Sequence, residues 1–216
     1  MNNNALYHET LHRTAAVMTA LQTFPVTVCG AGALGANLVE TLARQGFGKL
    51  TVIDRDRIEE RNLSTQPYYK SDIGAFKAKI LTNSLYRALG VAVTGKSEEL
   101  TQANASKLLT GSGLVVDTFD NSVGRQAVTD FCRDSRIPCL HVGLAADYAE
   151  VLWNEVYRVP SATNDDICDY PLARNLVLLT VAVAAEVITR FVATEAQENY
   201  TITLEDFAVR PYSGAG

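Results

Sequence analysis

The sequence predicts an α/β fold: a Rossmann-like, mostly parallel sheet with helices on both faces and antiparallel strands toward the C-terminus. Three observations predict it. Short apolar runs alternate with segments of helical period from Val26 to Val142. A G-x-G-x-x-G turn, Gly30, Gly32 and Gly35, joins the first apolar run to a helix. The segment "EVLWNEVYRV" alternates with period two, as an antiparallel strand does. The 216 residues, 47% hydrophobic and 20% charged, suit one domain with a sizeable core. That domain is expected over 1–216, with an N-terminal helix at about 5–24, a nucleotide core at about 26–142 and a C-terminal extension at about 143–216.

The elements follow in order. Leu11, Met18, Leu21 and Phe24 recur at helical spacing and predict one amphipathic opening helix. Val26–Cys29 reads as a buried strand, followed by a helix to about Gln45 and a strand from Lys49 to Asp54. Phe76–Leu89 is helical, "VAVTGK" a third strand and "ASKLLT" a short helix. "GLVVDTFD" is a strand ending in acids, "RQAVTDFCRDS" a helix and "IPCLHVG" a strand. A long helix is expected from about Pro171 to Phe191, and "NYTITLEDFAV" as a closing strand. "VPSATNDDICDYP", between them, is the most loop-like segment.

Bulk composition narrows the function. The net charge of -5 offers no basic footprint for nucleic acid or an anionic membrane. The longest apolar run, Leu176 to Ala185, is about half of what a bilayer span needs, so a buried helix is expected. No basic segment followed by an apolar run opens the chain, so no signal peptide is expected. Cys29, Cys132, Cys139 and Cys168 form no C-x-x-C pair, and their scatter fits reduced thiols in a cytoplasm.

The glycine turn predicts a phosphate site. Its free amides sit at a helix N-terminus, where the dipole favours negative charge. Asp54, ending the next strand, is placed to accept from ribose hydroxyls. The turn says nucleotide without saying which. Lys77, in the first turn of the helix after "DIGAF", can neutralise phosphate charge. Asp117 and Asp120 end a strand at the same crevice. A carboxylate beside a polyphosphate implies a cation between them, and magnesium takes one or two carboxylates plus phosphate oxygens. The set therefore favours ATP and magnesium over a nicotinamide cofactor.

At this point the chain resembles a family. "GAGALGANLVETLARQGFGKLTVIDRD", "NLSTQ", "DIGAFKA" and "DTFDN" stand in the order and spacing of the ThiF-like superfamily. That superfamily includes activators of sulfur-carrier proteins and the adenylation domains of ubiquitin-activating enzymes. The resemblance implies ATP-dependent adenylation of the C-terminal carboxylate of a ubiquitin-like or sulfur-carrier protein or peptide. By position it implies Gly30, Gly32 and Gly35 at the phosphates and Asp54 at the ribose. Asp56, Asn62 and Gln66 would belong to the nucleotide pocket, Lys77 would offset phosphate charge, and Asp120 would hold magnesium. Relatives form two-fold dimers, so a homodimer or a heteromeric partner is expected.

The sequence departs from the family at two arginines. The family reads N-L-x-R-Q, where this chain has Thr65. The family also carries an arginine after a tyrosine near the N-terminus, where Tyr7 is followed here by His8 and Glu9. Arg61 and Arg13 are the nearest substitutes, and a partner chain could supply another. The alternatives are a catalytically impaired nucleotide-binding subunit and an NAD(P)-dependent oxidoreductase. Cys168, before the long helix, matches the region where some relatives carry an acyl-accepting cysteine. Arg125 reads equally as a helix-surface residue or a phosphate contact, His141 as a structural polar residue, and Trp153 as packing for the antiparallel extension.

Overall fold

The computed structural model describes residues 4–160 and 172–212. The opening helix is broken in two. After a single 3₁₀ turn, α1 spans Tyr7–His12 and α2 spans Ala15–Thr23. The break is local chemistry: Arg13 leaves the helical region, and Thr14 caps α2 by accepting from the Val17 amide at 3.3 Å. Hydrophobic spacing carried no sign of that cap.

Next come β1 (Pro25–Cys29), α3 (Ala33–Gln45) and β2 (Lys49–Ile53). A 3₁₀ turn at Glu60–Ser64 precedes α4 (Lys77–Leu89) and β3 (Thr94–Lys96). Then follow α5 (Ala105–Leu109), β4 (Leu114–Asp117), α6 (Ser122–Ser135), β5 (Cys139–Ala145) and β6 (Tyr148–Trp153). The chain continues with α7 (Arg174–Thr194), β7 (Tyr200–Thr203) and β8 (Ala208–Pro211). The third strand is shorter than "VAVTGK", and the expected closing strand is a hairpin that turns between Thr203 and Ala208.

The eight strands form one sheet in the order β3-β2-β1-β4-β5-β6-β7-β8. The first five run parallel, and β5 through β8 pair antiparallel. This is the mixed, Rossmann-like sheet the sequence predicts. From β1 the chain builds outward through β2 to β3, then returns to add β4 on the other side. The C-terminal ends of β1 and β4 therefore flank a topological switch point, where open α/β sheets bind ligands.

Strand alternation divides the core. Val26, Val28, Leu114 and Val116 face one side, with Leu38 and Leu42 of α3 and Leu176 and Ile188 of α7. Cys29, Val115 and Cys139 face the other, with Leu108 of α5 and Val128 and Cys132 of α6. By length and composition α7 could cross a bilayer. Here it packs on α3 and β6, with Val181, Ala184 and Ala185 buried, and serves as the core helix expected. Trp153 is buried in the antiparallel extension, its ring 4.7 Å from that of Phe191.

Candidate functional site

The glycine turn lies at the switch point, and its geometry explains two of its glycines. Gly30 has φ +106°, a left-handed conformation that L side chains rarely adopt. A Cβ on Gly35 would lie 2.1 Å from the Gly30 carbonyl oxygen, so α3 could not approach the strand end. Gly32, at the N-cap of α3, has nothing within 4 Å of the same position, and its open side faces no protein atom.

Asp54 is more occupied than its sequence position suggests. Its Oδ2 accepts from the Ala31 amide at 2.6 Å and its Oδ1 from the Asp56 amide at 2.6 Å. The carboxyl is buried, and burial raises its pKa, opposed by the charge of Lys77 and by these two amides. Asp54 thus staples the turn to the end of β2.

Lys77 and Asp56 are brought together. Lys77 is buried at the start of α4, with Nζ 3.2 Å from Asp56 Oδ2, while Asp56 remains exposed. The Lys77 amide also donates to the Asp56 carbonyl at 2.9 Å, so backbone and side chain fix the same pair.

The N-L-S-T-Q element sits over the N-terminal end of α3. Asn37 Nδ2 donates to the Ala33 carbonyl at 2.7 Å and the Thr65 carbonyl at 2.8 Å, clamping one to the other. Asn62 Oδ1 accepts from the Glu59 amide at 2.9 Å, so this side chain caps its own turn. Gln66 is buried, and its Oε1 has no hydrogen-bond partner among the described residues. A buried amide oxygen is an acceptor that a hydroxyl or amino group, water's included, could satisfy. Asp120 is exposed on the turn after β4, beyond Thr118, whose hydroxyl would meet a Cβ on Gly30 at 2.7 Å.

Several expectations need correction. Asp117 does not join Asp120 at the crevice. It is fully buried on the α6 side, with Oδ2 2.9 Å from His141 Nδ1 and 3.5 Å from Arg125 Nη1. Burial alone would raise this carboxyl, but Arg125 and His141 bring it below the usual carboxylate range. Arg125 is not a free surface residue. Its side chain is 11% exposed and bonds the Tyr157 hydroxyl at 2.9 Å, and Tyr157 stacks on His141 at 3.8 Å between ring centres. Arg13 is bound within its own chain, at 2.9 Å from Glu9 and 3.1 Å from Glu186. Arg61 pairs with Glu59 at 2.6 Å. Cys168 lies outside the described residues. Burial pushes the thiols of Cys29 and Cys139 well up, which leaves neither as a thiolate nucleophile.

Sequence reasoning missed three residues here. Tyr68 donates its hydroxyl to the Ala31 carbonyl at 2.8 Å, Asn37 forms the clamp described above, and Arg174 Nη1 donates to the Ser64 carbonyl at 3.2 Å. An asparagine on the buried face of a helix was a readable signal for Asn37. The Arg174 contact joins positions 110 residues apart and left no local trace.

The chain is similar to known proteins in sequence and in fold. Over 119 residues the chain is 36% identical to the SAMP-activating enzyme E1 of Haloferax volcanii, covering 54% of this chain and 44% of that protein. Over 108 residues it is 38% identical to the sulfur carrier protein adenylyltransferase of Thermus thermophilus, covering 49% and 40%. The chain thus spans less than half the length of these two relatives. Among solved structures, E. coli MccB with MccA-N7isoASN superposes with a TM-score of 0.84 at 18% identity, over 98% of this chain and 72% of that one. E. coli MccB with ATP superposes with a TM-score of 0.81 at 19% identity, over 98% and 71%. A family model matches residues 8–201, and the chain belongs to the ThiF family.

Proposed function

We propose that this chain binds ATP with magnesium and adenylates the C-terminal carboxylate of a ubiquitin-like or sulfur-carrier protein or of a peptide. The observation that carries the reading is the Lys77–Asp56 pair beside the Asp54–Ala31 staple, at the switch point of the sheet. A phosphate-binding turn, a ribose acceptor and a buried lysine meet there. Family membership supports adenylation over hydride transfer. The names of similar proteins, an E1 and a sulfur carrier adenylyltransferase, support a carrier C-terminus. The MccB complexes support a peptide as the second substrate class.

In this reading the turn amides and the α3 N-terminus hold the phosphates, and Asp54 and Gln66 take the ribose and its neighbours. Lys77 offsets the charge that builds on the phosphates as they separate. Asp120 is the carboxylate for magnesium, an ion that takes one or two carboxylates and neutralises phosphate oxygens when bound. A substrate carboxylate oxygen forms a bond to the α-phosphorus as the bond to the β-phosphate oxygen breaks. Pyrophosphate departs, and the acyl-adenylate keeps the AMP moiety. The free buried thiols support a reducing, cytoplasmic setting.

The test is exchange of labelled pyrophosphate into ATP on addition of candidate carriers and peptides with a free C-terminus. Carrier-dependent exchange is expected. No exchange with any carrier, together with no ATP binding, would refute the reading. One observation favours a second reading, a catalytically impaired partner subunit: Arg13 and Arg61 are both engaged by carboxylates. Cellular function that survives loss of Lys77 and of Asp120 would decide for it.

A further inference from the structure

The charges at the nucleotide end do not balance for a polyphosphate. Asp54, Asp56 and Asp120 bring three carboxylates to this end, and Lys77 is already held 3.2 Å from Asp56. The nearby arginines are largely committed. Arg55 lies 2.5 Å from Glu99 and Arg61 2.6 Å from Glu59. Arg57 lies over the Phe76 ring at 3.9 Å and donates to the Gly74 carbonyl at 2.6 Å. Magnesium and Lys77 together only offset these three carboxylates, which leaves nothing for the triphosphate's own negative charge.

Arg174 differs from all of these. It is exposed at the first residue of α7, and among the described residues its partner is one backbone carbonyl, that of Ser64. A guanidinium carries five N–H donors, so most of its capacity is unused. The carbonyl it touches belongs to the residue before Thr65, in the element that Asn37 clamps to the first turn of α3. We propose that Arg174 is the arginine that grips the polyphosphate, reaching from α7 past the Ser64 carbonyl beside Thr65. This rests on the nucleotide reading above and adds a residue to it. The chain's missing motif arginine is then replaced in space, from a distant part of the same chain.

The experiment is calorimetric titration of the full chain with ATP, ADP, AMP and adenosine. The variants are R174A, R174K and the double variant R174A/T65R. Loss of a charge-assisted contact should weaken ATP and ADP binding about 10- to 100-fold in R174A and less in R174K, with adenosine unchanged. Thr65→Arg in the R174A background should restore ATP affinity. Equal weakening of adenosine and ATP, or no weakening at all, would overturn the proposal while leaving ATP binding intact. A wild-type chain that binds no adenine nucleotide would overturn the function and the proposal together.

Discussion

The amide of Ala31 donates to Asp54 Oδ2 at 2.6 Å, so the residue expected to hold ribose also closes the glycine turn. Asp54→Ala removes the acceptor for two buried or half-buried amides at once. It should lower stability by about 1–3 kcal/mol in urea unfolding, as stranded donors do, and abolish measurable ATP binding. Intact nucleotide affinity in this variant would mean that the staple is structural only.

Gly32 and Gly35 should separate function from folding. Gly32→Ala meets no protein atom within 4 Å, so its melting temperature should stay within about 2 °C of the parent. Its new methyl group lies at the N-cap of α3, the proposed phosphate site, and ATP affinity should fall about tenfold or more. Gly35→Ala forces a Cβ to 2.1 Å from the Gly30 oxygen, and the protein should be recovered unfolded or not at all. Thermal melts beside ATP titration check both.

Lys77→Met keeps the length of a buried side chain and removes its charge. Pyrophosphate exchange should fall about 100-fold or more, with a small change in stability because Asp56 is exposed and regains water. Exchange at the parental rate would remove Lys77 from the chemistry.

Asp117→Asn should be costly although it lies off the proposed pocket. It leaves Arg125 and His141 without their shared carboxylate, and breaking such a buried set costs about 3–5 kcal/mol. The folded pKa of Asp117 is below its unfolded value, so its stabilising contribution is complete above the unfolded value near 3.8. That contribution is lost as pH falls through the lower, folded value. The stability gap between parent and variant should therefore be constant from pH 7 to about 5 and narrow only under stronger acid. Denaturant unfolding across that range tests the sign.

Much of this molecule was legible because its signals are local. The glycine turn, the strand-end acid and the lysine after "DIGAF" each act within one strand–helix unit, and the switch point brings those units together. The mostly parallel sheet followed from the same alternation, while the order of its strands came only with the structure. What escaped depends on partners far away in sequence. Arg125 read as a helix-surface residue or a phosphate contact, and His141 as a structural polar residue, until β4, β5 and α6 place both against Asp117. Arg13 looked available for a phosphate until α7 brought Glu186 to it. The break in the opening helix depended on one hydroxyl, that of Thr14, which hydrophobic spacing does not weigh.

Three of the chain's own side chains hold the glycine turn. Tyr68 bonds the Ala31 carbonyl, Asp54 the Ala31 amide and Thr118 the Cys29 carbonyl. A cradle already rigid loses little freedom on loading, so more of each contact survives as affinity. Encounter should then be quick, with no slow rearrangement of the turn before capture. Amide exchange at Ala31 should accordingly be slow in the empty protein and change little on loading. The nucleotide's own signature should instead appear at Ser64–Gln66, where a buried amide oxygen still waits for a donor.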